Sequence, residues 1–78
     1  METRICPLCN QEQPEFKFFR DLKHPNRKVC HRCYLREIKG AINAHVEREM
    51  FMDAAALISE AQSSIELIEM RKLDYAKN

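Results

Sequence analysis

The sequence predicts a small α+β protein: a metal-stabilised knuckle and β-hairpin, then a mostly helical C-terminal half arranged as a helix hairpin or a coiled-coil-like stripe. Three observations carry this expectation. Cys6-Pro7-Leu8-Cys9 and Cys30-His31-Arg32-Cys33 are two Cys-x-x-Cys pairs separated by twenty residues. Between them, Phe16 and Phe18 flank Lys17, ahead of a turn-forming His24-Pro25-Asn26-Arg27. Between Gly40 and Asn78 there is neither glycine nor proline, and apolar residues recur at steps of three and four.

Each Cys-x-x-Cys pair sets two thiolates about one tight turn apart, which suits adjacent corners of a tetrahedron. Four thiolates close the coordination sphere of Zn²⁺, so Cys6, Cys9, Cys30 and Cys33 are expected to hold a structural rather than a catalytic zinc. No other cysteine is present. Two disulfides would use the same residues. However, residues 1–5 contain Glu2 and Arg4 and no apolar run follows, so a reducing cytoplasm is the expected compartment. A rubredoxin-like iron site needs glycine-rich knuckles, and Gly40 is the only glycine. A chain of 78 residues has room for one domain with a modest core, where metal-binding energy doubles as folding energy. No stretch approaches the apolar length of a membrane span.

In chain order, residues 5–10 form a knuckle, with Pro7 restricting its turn and Ile5 expected under the metal. Residues 11–14 read as a polar connection. Phe16-Lys17-Phe18 predicts a short strand with both rings on one face, and Val29 returns as a second strand. A β-hairpin over residues 16–30 follows, turned at Pro25 and Asn26. From Cys30 the pattern is helical. Leu35, Ile38, Ile42 and His45 form one stripe, and Phe51, Ala54, Ile58, Ala61, Ile65 and Ile68 form a heptad-like second. The stripes are out of phase, which predicts a break near 48–53 with Asp53 as a cap. Ser63 and Glu66 match a capping box, a signal for a second break. Residues 1–37 thus read as a Cys₄ zinc-binding module and 38–78 as a helical oligomerisation or partner-binding region.

The formal net charge of +1 hides an asymmetry. Residues 17–39 carry Lys17, Arg20, Lys23, Arg27, Lys28, Arg32, Arg36 and Lys39 against Asp21 and Glu37. The flanking segments are acidic, with Glu47, Glu49, Asp53, Glu60, Glu66, Glu69 and Asp74 in the C-terminal half. Zinc with four thiolates carries about −2, so two or three cations suffice to neutralise it. The surplus points to an anionic partner. Lys17, Arg20, Lys23, Arg27, Lys28, Arg32 and Arg36 are the candidate phosphate contacts of a nucleic-acid surface, with Phe19 and Tyr34 available to stack on bases.

A knuckle, a hairpin and a second Cys-x-x-Cys opening a helix make a treble-clef arrangement. Residues 6–37 resemble the small zinc modules common in phage proteins, including those beside or within HNH and endonuclease VII-like nucleases. The shared features are the two cysteine pairs, Pro14 followed by Phe16, a basic turn, and the basic helix start Tyr34-Leu35-Arg36-Glu37. The resemblance covers under half of the chain and implies a zinc module, not an activity. A nuclease site would need a histidine base and a second metal. Asp21, His24, Asn26 and His31 lie in or beside a short turn with no room for that unit, so His24 and His31 read as an ordinary turn residue and an exposed knuckle residue.

The function expected is therefore a non-enzymatic, phage-type regulator or adaptor that touches nucleic acid through its basic module. The helical half would bind protein, most simply as a homodimer along Phe51, Ile58, Ile65 and Ile68, because a module this small cannot cover two apolar faces. The alternative is an inhibitor docking on host machinery, RNA polymerase or a defence complex, in the host cytoplasm.

Overall fold

The computed structural model describes residues 2–77. The chain runs β1 (Thr3–Ile5), β2 (Glu12–Pro14), a 3₁₀ turn (Glu15–Lys17), β3 (Phe18–Arg20), β4 (Lys28–Cys30), α1 (His31–Glu47) and α2 (Phe51–Lys77). The strands form two separate antiparallel pairs, β1 with β2 and β3 with β4. The predicted fold class is the observed one, and the helices form the hairpin variant.

The first pair closes around the knuckle. The Cys6 N–H donates to the Gln11 carbonyl at 3.0 Å and the Asn10 N–H to the Cys6 carbonyl at 2.8 Å. Asn10 takes φ 58°, a left-handed conformation that asparagine tolerates better than most residues. Residues 12–14, expected as a connection, instead pair with residues 3–5 in the register Thr3–Pro14, Arg4–Gln13, Ile5–Glu12. This pairing leaves Ile5 at 64% exposure, not beneath the metal site.

The second pair begins two residues later than the alternation suggests. Glu15–Lys17 wind into a 3₁₀ turn after Pro14, so Phe16 leaves the strand and Phe18 enters the core. Phe18 faces Cys30, Phe19 faces Val29 and Arg20 faces Lys28 across the ladder. Asp21, 1% exposed, builds the turn. Its carboxylate accepts from the Lys23 N–H at 3.0 Å and from Arg27 Nε at 2.6 Å. Burial raises the Asp21 pKa, but those bonds and the Arg27 charge outweigh it, holding the carboxyl far below the usual aspartate range. Glu37 reaches back from α1 to accept the Leu22 N–H at 3.3 Å, tying the turn to the helix.

The break between helices falls where the phase change predicts it. The Met50 N–H donates to the His45 carbonyl at 2.8 Å and the Glu49 N–H to the Val46 carbonyl at 3.0 Å. With Glu49 at φ 59°, this is a Schellman turn in which a glutamate takes the place glycine usually fills. Helix α2 begins at Phe51, so Asp53 lies in its first turn instead of capping it. The second break is absent, and α2 runs unbroken through Ser63–Glu66.

Among the described residues of α2, the buried and half-buried ones are Ala54, Leu57, Ala61, Ser64, Ile68, Arg71 and Tyr75, at alternating steps of three and four. The expected stripe shares only Ala54, Ala61 and Ile68 with this face; Phe51, Ile58 and Ile65 stand 61%, 45% and 50% exposed on an adjacent ridge. The N-terminal part of α2 packs on α1. Its C-terminal part docks on the small module. Arg71 Nη1 donates to the carbonyls of Phe16 and Phe18, each at 3.3 Å, and its Cζ lies 4.8 Å from the centre of the Phe19 ring. Tyr75 packs against Phe16 with ring centres 5.0 Å apart.

Arg71→Ala removes two hydrogen bonds and a cation–π contact, and is expected to lower stability by about 1–3 kcal/mol. Hydrogen exchange is expected to accelerate in residues 64–77 and to leave α1 nearly unchanged. Uniform acceleration along the chain would show that Arg71 does not act as a local latch.

Candidate metal centre

Cys6 and Cys9 are carried by the knuckle, Cys30 ends β4, and Cys33 lies in the first turn of α1. Their four Sγ atoms lie within 4.8 Å of one another. Two edges run between the pairs, Cys6 to Cys33 and Cys9 to Cys30, each 3.8 Å. All four thiols are free, since a disulfide needs sulfurs about 2.05 Å apart. The four predicted ligands are thus brought together as a possible metal-binding cluster.

The cluster is also the core of the module. Cys6 and Cys30 are fully buried beside Phe18, Val29 and Cys33, with Cys9 and Tyr34 packed against them. Among the described residues of the module, no separate apolar cluster lies beneath it, so whatever draws the sulfurs together also holds the strands. Cys30 caps α1 without a side-chain hydrogen bond, and its backbone N–H points at Cys6 Sγ, 3.4 Å away.

The thiols are electrostatically unequal. Burial pushes Cys6 up, but the N–H groups of Cys30, Cys9 and Leu8 outweigh it and bring its pKa from 9.0 down to about 6. Burial pushes Cys30 and Cys33 up, and neighbouring thiols reinforce the rise at Cys33. Without a cation, four thiolates in one place repel. A bound metal ion reverses that logic and deprotonates its ligands.

Further side chains pack around the cluster. His31, expected as an exposed knuckle residue, is half-buried. Ser64 Oγ gives its proton to the Ala61 carbonyl at 2.7 Å and meets His31 Nε2 at 3.0 Å, so the imidazole donates there. Phe19 stacks on Tyr34, with ring centres 5.1 Å apart and planes 18° apart, and tilts against His31 at 5.1 Å. Arg71 occupies further space over Phe19. The two aromatics expected to stack on bases are therefore packed on each other.

Arg20 and Lys28 are cross-strand neighbours at the turn end of the β3–β4 pair. Arg20, Lys23, Lys28, Arg32 and Arg36 are exposed, whereas Lys17 and Arg27 are half-buried. Arg27 is committed to Asp21. Of the helical candidates, Phe51, Ile58 and Ile65 are exposed and Ile68 is half-buried. The sequence reading missed Asp21, Ser64 and Arg71 as organising residues. Ser64 and Arg71 follow Ala61 and Ile68 at steps of three, so polar residues in an apolar register were the available signal.

Comparison of the chain with family models, curated proteins and solved structures found no match. Among the described residues, no helix is long and apolar enough to cross a membrane.

One metal ion is expected per chain. Cys30→Ser is expected to abolish tight metal binding and to leave residues 1–37 largely unfolded, because binding and folding are coupled here. Metal analysis and heteronuclear NMR spectra check both points. A variant as stable as the parent would remove the metal from the folding argument.

Proposed function

We propose that the protein is a non-enzymatic, zinc-stabilised adaptor or regulator of phage type, whose basic module contacts nucleic acid and whose helical hairpin binds protein. Zinc is the ion that suits the cluster. Zn–S bonds of about 2.3 Å at tetrahedral angles require sulfur–sulfur edges of about 3.8 Å. The two cross-pair edges have that length. When bound, zinc supplies folding energy and leaves a closed centre with no position for substrate.

The observation that carries the nucleic-acid reading is the set of uncommitted cations. Among the described residues, salt bridges join only Arg4 to Glu15 and Arg27 to Asp21. Arg20, Lys23, Lys28, Arg32 and Arg36 are exposed and, among the described residues, unpaired around a centre that about two or three positive charges would neutralise. Sequence-independent contact with phosphates uses such a surface. The resemblance of residues 6–37 to phage zinc modules supports the phage-type assignment.

The exposed ridge of Phe51, Ile58 and Ile65 favours a protein contact as well, most simply with a second copy. In the alternative reading the protein inhibits host machinery, RNA polymerase or a defence complex, with its basic turn facing acidic side chains of the target.

Two outcomes are expected. Binding to duplex DNA should weaken steeply with salt, and Lys28→Ala/Arg32→Ala should weaken it for all sequences together, lowering the log–log salt slope by about 0.9 for each lost contact. Absence of binding to DNA or RNA at low salt moves the assignment to the inhibitor. Light scattering should give a concentration-dependent mass that Ile58→Glu reduces to the monomer; a monomer mass at every concentration removes the second copy as partner.

A further inference from the structure

One face of α1 is exposed and cationic. Arg32, Arg36, Lys39, Gly40 and Asn43 are all exposed. At 3.6 residues per turn they share a sector about 100° wide. Ile38, the buried anchor of α1, lies across the helix from them.

Two local features coincide on this face. Arg32 stands in the first turn, where the helix dipole disfavours a cation and no acidic residue lies, so the thiolates of the adjacent cysteine cluster are what would offset its charge. Gly40 sits mid-helix, where alanine would be the better helix former. Nothing lies within 4 Å of a Cβ built on Gly40, and no glycine has a positive φ. Neither packing nor backbone conformation therefore calls for glycine at that position. Beside it runs a groove of about 540 Å³, floored by Gly40, Ala41 and Ala44 and walled by Leu22 and Lys23 of the hairpin turn. Glu37, also at the groove, is already bonded to the Leu22 N–H.

We infer that this face of α1 enters the major groove of duplex DNA, with Arg20, Lys23 and Lys28 holding flanking phosphates. The inference rests on the nucleic-acid reading and names its ligand. A helix about 10–12 Å across fits a major groove about 12 Å wide. Gly40, lacking a side chain, lets the helix axis approach the base edges. Arg36 and Asn43 are of the types that read guanine and adenine there. Glu47, near the C-terminal end of the same face, repels phosphate and limits contact to the earlier turns. Single strands are disfavoured because Phe19 and Tyr34 are packed on each other and offer no open stacking platform. Duplex RNA is disfavoured because its major groove is too narrow for a helix.

The test uses the full-length, metal-loaded protein at low salt, with a short DNA duplex, one of its single strands and the matching RNA duplex, read by fluorescence anisotropy. Duplex DNA is expected to bind at least about tenfold more tightly than the other two, and guanine N7 atoms in the site to be protected from methylation by dimethyl sulfate. Gly40→Leu is expected to weaken duplex binding about tenfold or more while melting no lower than the parent, since leucine is the better helix former. If that variant does not fold, Asn43→Ala, on the exposed face, is expected to alter the preference among duplex sequences. Equal binding of the three ligands, unprotected N7 atoms, or unchanged affinity in both variants overturns groove entry and leaves phosphate contact standing. No binding to any of the three overturns the nucleic-acid reading itself.

Discussion

Four sulfurs within 4.8 Å of one another are the constraint on which the rest of the module depends. The strands are only three residues long and lie in two separate pairs. Two-stranded pairs of this length are marginal in water. They persist here because the knuckle, the end of β4 and the first turn of α1 must all present a sulfur to the same point. The register that places Phe18 opposite Cys30 follows, since Cys30 can reach the cluster from only one side of the ladder. The possible metal-binding cluster and the hydrophobic core are thus one structure, with Cys6 and Cys30 belonging to both.

The second organising feature is the return of α2 to the module. Ser64 meets His31, which sits between two cysteines of the cluster. Arg71 takes up the carbonyls at either end of Lys17 and lies over Phe19, whose ring is stacked on Tyr34, the neighbour of Cys33. Each contact ends within a residue or two of a clustered cysteine or of the strand that positions one. The helical hairpin and the module therefore share their stability, although the sequence divides naturally between residues 37 and 38. Helix α1 itself passes through that point without a break.

Legibility in the sequence tracks how local each determinant is. The clustering of the four cysteines was readable because Cys-x-x-Cys spacing encodes thiolate geometry within a single turn. The hairpin and the helix break were readable from Pro25, Asn26 and a phase change. The phase of α2 was not. Phe51, Ile58 and Ile65 repeat as regularly as Leu57, Ser64 and Arg71, and periodicity identifies a helix without choosing between adjacent ridges. The choice depends on Phe16, Phe19 and His31, which lie far away in sequence. The capping-box signal at Ser63 failed for a related reason: a cap matters only where backbone N–H groups lack helical partners, and docking keeps the preceding turn intact. The late start of β3 reflects the 3₁₀ turn after Pro14, which alternation alone cannot reveal.

The unbroken course of α2 has a mechanical consequence. Its 27 residues extend about 40 Å at 1.5 Å per residue, close to the 45 Å long axis of the molecule. One end meets the Schellman turn, and the other is bolted to the module through Arg71 and Tyr75. Helix α2 therefore ties the tip at Phe51 and Met52 to the module at its far end through one continuous run of helical hydrogen bonds.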